Sequence, residues 1–128
     1  MTTHFGFTKL VVHDLDVCAA FYTAVLGVEE QRRVHGAVAG RPMEEILYGA
    51  TAPGGGSFIL LRYLDSTGPS RDEVILGVWT DDIRALFDRA VAAGGSVPQA
   101  IAESPEHGVH LGFLADPEGH LIEVVQPL

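Results

Sequence analysis

The sequence predicts an α+β fold: one 128-residue domain made of two tandem βαβββ units. Three observations predict it. Two helix-like stretches of matching length are each bracketed by capping aspartate and terminal glycine, Asp14 to Gly27 spanning as many residues as Asp81 to Gly94. Each stretch follows one short apolar run and precedes three strand-like ones. In both halves a Pro-Gly turn joins the last two strands, "APGGG" at 52–56 and "DPEG" at 116–119. Self-similarity of this kind marks a repeated supersecondary unit.

The elements follow in order. "FTKLVV" at 7–12 reads as the first strand, whose alternation puts Leu10 and Val12 beneath a helix and Phe7, Lys9 and Val11 on the opposite face. "LDVCAAFYTAVL" at 15–26 gathers Cys18, Phe21, Tyr22, Val25 and Leu26 on one helical stripe, with Asp14 or Asp16 as cap. Strands near 29–38, 43–50 and 57–64 complete a first unit covering about 5–64. In the last of these, Phe58, Leu60 and Arg62 are expected on the face of Phe7. The polar run "DSTGPSRDE" at 65–73 is the linker.

The second unit, about 74–126, opens with "VILGVWT", in which Ile75, Gly77 and Trp79 share a face. "DIRALFDRAVAA" at 82–93 aligns Ile83, Leu86, Phe87, Ala90 and Val91, with Asp81 or Asp82 as cap and Gly94-Gly95 as the stop. Strands near 97–103, 109–115 and 120–126 follow. A two-helix ferredoxin-like sandwich has too few strands for this pattern.

Composition excludes several classes. A formal charge of −9 with only eight scattered Lys and Arg leaves no basic patch for a phosphate backbone, so no nucleic-acid partner is expected. The one cysteine, Cys18, forms no internal disulfide and sits on an apolar helical stripe, which fits an inert thiol in a reducing compartment. "MTTHFGFTK" lacks a signal-peptide layout and no apolar run approaches the length of a membrane span, so the expectation is a cytoplasmic protein with no membrane partner.

"FTKLVVHDLDVCAAFYTAVLG" followed by "FLADPEGHLIEVVQ" resembles the vicinal oxygen chelate superfamily, which includes glyoxalase I, the bleomycin-resistance proteins and the extradiol dioxygenases. The resemblance covers nearly the whole chain. It implies that each βαβββ sheet curls into a half-cup, that two half-cups enclose a ligand cavity, and that a short member forms a homodimer. It also implies a divalent metal held by His, Glu or Gln on the first and last strands of each unit. Counting from the helix caps puts those positions at Phe7 and at Ile75 or Val74, and the Pro-Gly turns match Leu60 with Glu123. Only Glu123 could donate to a metal, and one carboxylate does not replace a hydration shell.

Of six histidines, none forms an i, i+4 pair on a helix: His4 and His35 stand apart, His107 lies near a loop, and His13 and His120 are expected solvated beside a cap and a turn. If the "DPEG" hairpin pairs regularly, Gly112 faces Glu123 and His110 points to the side of Glu123. The expected cup is then apolar and aromatic, lined by Phe7, Phe58, Leu60, Ile75 and Trp79, with Lys9, Arg62, His110 and Glu123 as its polar groups. The same apolar residues equally suit a packed core or a dimer interface. Lys9 or Arg62 is the expected partner of Glu123, since an unpaired buried carboxylate costs several kcal/mol.

The expected function is a metal-free, cofactor-free binding protein of the bleomycin-resistance type, holding a small amphipathic or aromatic compound. The alternative is a metal-dependent glyoxalase-like lyase, epimerase or dioxygenase using Glu123 and His110. A regulatory subunit with a filled cup is the third class.

Overall fold

A computed structural model describes residue 3 and residues 5–128; His4 lies outside the described residues. The chain forms two compact units, Met1–Ser70 and Arg71–Leu128, dividing inside the expected linker. The first contains β1 (Phe7–Val11), α1 (Leu15–Leu26), β2 (Glu30–Val38), β3 (Arg41–Tyr48) and β4 (Ser57–Tyr63). The second contains β5 (Ile75–Trp79), α2 (Ile83–Ala92), β6 (Ser96–Ser104), a 3₁₀ turn at Pro105–His107, β7 (Val109–Ala115) and β8 (Leu121–Pro127). Both units are therefore βαβββ, as expected.

Each unit holds one four-stranded mixed sheet, ordered β1-β4-β3-β2 in the first and β5-β8-β7-β6 in the second. The first strand runs parallel to the last in each, and the other pairs are antiparallel. The order follows from the connections: a helix returns the chain over the sheet, and tight turns join the remaining strands.

The helix caps set the correspondence between units. The Asp14 carboxylate accepts from the Val17 N–H, whereas Asp16 pairs with Arg33 at 3.1 Å. In the second unit Asp82, not Asp81, accepts from the Ala85 N–H at 3.1 Å. Leu15 thus corresponds to Ile83 and Phe7 to Ile75.

In the first unit α1 packs on the face carrying Leu10, Ile46 and Leu60, all 0–2% exposed. Tyr22 of α1 sits edge-on to Phe58 with ring centroids 5.0 Å apart, and Tyr48 stacks on Phe58 at 6.0 Å. In the second unit Leu86, Phe87 and Ala90 of α2 are buried, as are Leu114, Ile122 and Val124 of the sheet. Each Leu, Ile, Val or Phe side chain among these contributes about 1.5–3 kcal/mol by leaving water.

The β7–β8 turn is built around one aspartate. Asp116 Oδ1 accepts from the N–H groups of Glu118 and His120, and Oδ2 lies 2.8 Å from His120 Nδ1. His120 is consequently buried, 2% exposed, rather than solvated. Gly119 adopts φ +92°, a left-handed conformation that residues with a side chain rarely adopt, and the Arg71 guanidinium packs over it.

Candidate functional site

Strand register decides which side chains can meet, because residues paired across a ladder share a face. In the second unit β5 and β8 pair Ile75 with Leu121, Gly77 with Glu123 and Trp79 with Val125. Across β8 and β7, Glu123 pairs with Phe113, Val125 with Leu111 and Leu121 with Ala115. The face away from α2 therefore carries Glu123 at its centre, between Gly77 and Phe113, with Leu121 and Val125 along its own strand. Ile75 and Trp79 stand exposed beside it.

Glu123 is half-buried and makes no hydrogen bond or ion pair with any of the described residues. Both expected partners are engaged within the first unit. Lys9 Nζ binds Glu45 Oε2 at 3.0 Å, and Arg62 donates from Nε to the His13 carbonyl at 2.9 Å while its Nη1 lies 3.5 Å from Glu44. The neighbouring Gly77 leaves open space, since a Cβ there would meet nothing within 4 Å. A ligand atom can thus approach the carboxylate over Gly77, against apolar walls.

Four expected site residues lie elsewhere. His110 pairs with Gln126, one step out of phase with Glu123, so it points to the α2 side of the sheet. Gln126 confirms that side by accepting from the Ile83 N–H at the start of α2 at 2.8 Å. The cause is the turn: Asp116 holds His120 within it, so pairing resumes at Ala115 with Leu121 and every β7 residue shifts by one place. Gly112 accordingly faces α2, where a Cβ would lie 2.6 Å from Phe87 Cζ.

Phe58, Leu60 and Arg62 are also on the helix side of their sheet. In the parallel β1–β4 pair Leu10 meets Leu60 and Lys9 meets Ile59, so Lys9 shares its face with Ile59 and Leu61. Phe58 serves the aromatic cluster beneath α1 and Leu60 is wholly buried. Phe7 and Lys9 do lie on the face away from α1, where Phe7 is 55% exposed.

Sequence reasoning missed Glu45, a carboxylate 7% exposed on that same face. Its signal was present: in "RPMEEILY" Glu45 has the parity of Met43 and Leu47, a charge on an apolar stripe like that of Glu123.

The metal that such a fold would imply does not fit these residues. Register makes Ile59, rather than Leu60, the first-unit counterpart of Glu123, because Ser57 and Leu121 occupy equivalent pairings with Phe7 and Ile75. Phe7, Ile59 and Ile75 have no lone pair to offer, whichever neighbour is substituted in β4. Among the described residues no group of three or more His, Cys, Asp or Glu could hold a metal ion. What remains is a single carboxylate in apolar surroundings, able to accept a hydrogen bond or take a proton. Among the described residues no helix is long and apolar enough to cross a membrane.

Comparison with known proteins is consistent with this architecture. A family described as a glyoxalase-like domain matches residues 8–125. A probable lactoylglutathione lyase of Vibrio parahaemolyticus is 32% identical over 124 residues, covering 93% of this chain and 87% of that protein, and its Vibrio cholerae counterpart matches equally. A glyoxalase family protein from Bacillus cereus superposes with a TM-score of 0.81 at 19% identity, covering 100% of this chain and 96% of the other. A glyoxylase/bleomycin resistance protein/dioxygenase domain from Frankia gives 0.76 at 20% identity, with both chains fully covered. These structures establish the shared vicinal oxygen chelate fold.

Proposed function

The chain belongs to the glyoxalase-like family, and from that premise we propose that the Glu123 face of its second unit carries out a glyoxalase-type proton transfer on a small hydroxy-carbonyl compound. The observation that carries this reading is Glu123 itself: an unpartnered, half-buried carboxylate at the centre of an apolar face, with open space over Gly77. The names of the two Vibrio relatives support a lyase rather than the pure binding role expected from sequence.

In the step proposed, the Glu123 carboxylate takes the proton from the carbon bearing hydroxyl and sulfur in a hydroxythioacetal. The electron pair passes into an enediol, and the same carboxyl returns the proton to the former carbonyl carbon. The product is a thioester of a 2-hydroxy acid, an isomer of the substrate, so no co-reactant is needed. A positioned general base contributes roughly 10²–10⁴-fold. No second donor converges on Glu123, so turnover is expected to be modest.

One observation favours a second reading, a metal-free binding protein: three of the four positions that would hold a metal are apolar. The two readings separate in one experiment. Chelator-treated protein and Glu123→Gln are given the hydroxythioacetal of glutathione and methylglyoxal, with thioester formation and calorimetric binding followed in parallel. Slow turnover that falls by roughly 10²-fold or more in Glu123→Gln, with binding retained, supports the lyase. Binding without product from either protein overturns proton transfer and leaves the binding role; absence of binding overturns both.

A further inference from the structure

We propose a second binding site, for a small organic cation, in an open depression of about 620 Å³ where β5 and β8 end beside the start of α2. Trp79, Thr80, Asp81, Gln126 and Pro127 line it. The inference does not rest on the proton-transfer reading of Glu123.

Two side chains here have no structural employment. Trp79 is 74% exposed although it is the only tryptophan and a large apolar surface. Asp81 is exposed and, unlike Asp82, caps nothing: the Ala85 N–H goes to Asp82, the Ile83 N–H to Gln126, and the Asp82 N–H to Thr80 Oγ1. Asp81 makes no bond or ion pair with any of the described residues. Three of the N–H groups that open α2, those of Asp82, Ile83 and Ala85, are thus already taken. What the depression offers is an exposed indole and one unpaired carboxylate, in a chain of net charge −9.

Those two groups are complementary to a cation. A quaternary ammonium or guanidinium over an indole face is held by the ring quadrupole, most strongly by tryptophan, and a nearby carboxylate adds direct attraction. Apolar substituents on nitrogen gain from the indole and Pro127, so an alkylated ammonium is favoured over free ammonium. The cation need only touch the surface, since the depression is open.

Trp79 reports its own occupancy. Choline and its uncharged isostere 3,3-dimethylbutan-1-ol are titrated against the protein while Trp79 emission is followed. Choline is expected to give a saturable change and the isostere none. Asp81→Asn should weaken choline by roughly two- to fivefold with melting temperature unchanged, since Asp81 supports nothing in the fold. Equal responses to both compounds, an unaltered affinity in Asp81→Asn, or emission that shifts with protein concentration alone, as a second copy covering Trp79 would cause, overturns the proposal.

Discussion

Replacing Gly112 with alanine tests the register on which the site rests. A Cβ at position 112 would lie 2.6 Å from Phe87 Cζ, 3.2 Å from Phe87 Cε2 and 3.3 Å from the Gln99 carbonyl. Ordinary carbon contacts are about 3.5–4.0 Å, so the methyl intrudes by roughly 1 Å on a ring that is itself 6% exposed. The ring must tilt against neighbouring core side chains, and overpacking of this size costs about 1–3 kcal/mol. For a chain of this length that is roughly 4–12 °C in melting temperature. The assay is thermal denaturation by far-UV circular dichroism of Gly112→Ala, Phe87→Leu and the double variant. Because Phe87 is the obstacle, the drop caused by Gly112→Ala should shrink in the Phe87→Leu background, a coupling of about 0.5–3 kcal/mol. Were β7 paired one residue earlier, Gly112 would stand beside Glu123 over open space, and alanine would be neutral or slightly stabilising. A Gly112→Ala protein that melts at or above the wild-type temperature, or equally low in both backgrounds, refutes the register.

Other substitutions probe the charged groups. Glu123→Gln should change stability by less than about 0.5 kcal/mol in chemical denaturation, because no ion pair is lost; a larger loss would reveal a partner. Lys9→Met leaves Glu45 nearly buried without its cation and should cost about 1–2 kcal/mol, while Lys9→Met with Glu45→Met recovers most of it. Asp116→Asn weakens three hydrogen bonds in the β7–β8 turn and should cost about 2–3 kcal/mol, with amide exchange accelerating first at Glu118 and His120. Burial raises the Tyr48 phenol above its usual value more than the Thr23 hydroxyl lowers it. Its contribution is therefore fully present below the unfolded value of about 10 and is lost as pH rises through the folded one. Tyr48→Phe removes this buried hydroxyl and should show less alkaline destabilisation, with little cost near neutrality.

Much of the fold was legible because its signals are local. The Asp14 cap, the αL Gly27 and the stripe of Cys18, Phe21, Tyr22 and Val25 define α1 without reference to the rest of the chain. The repeat then supplied the second unit by analogy. Faces were harder. Ile75, Trp79 and Glu123 could be grouped, since β5 and β8 pair with a plain alternation. His110 could not, because its face depends on one residue: whether His120 starts β8 or belongs to the turn. The Asp116–His120 bond decides that, and it is a side-chain contact with no periodicity to announce it. Phe58, Leu60 and Arg62 were misplaced for a related reason. In "SFILLRY" both parities are largely apolar, and only pairing with β1 fixes which set meets α1. The partner of Lys9 was missed because Glu45 lies on β3, two strands away from β1 in the sheet.

The measurement that bears most directly on the role given to Glu123 is thioester formation from the hydroxythioacetal of glutathione, run on one preparation in excess chelator and again with added zinc, nickel or manganese. With Phe7, Ile59 and Ile75 where donors would be needed, the rate should be the same in every case and should fall by roughly 10²-fold or more in Glu123→Gln. A rate that chelator abolishes and metal restores would contradict the account, showing that Glu123 works as one ligand of an assembled metal centre.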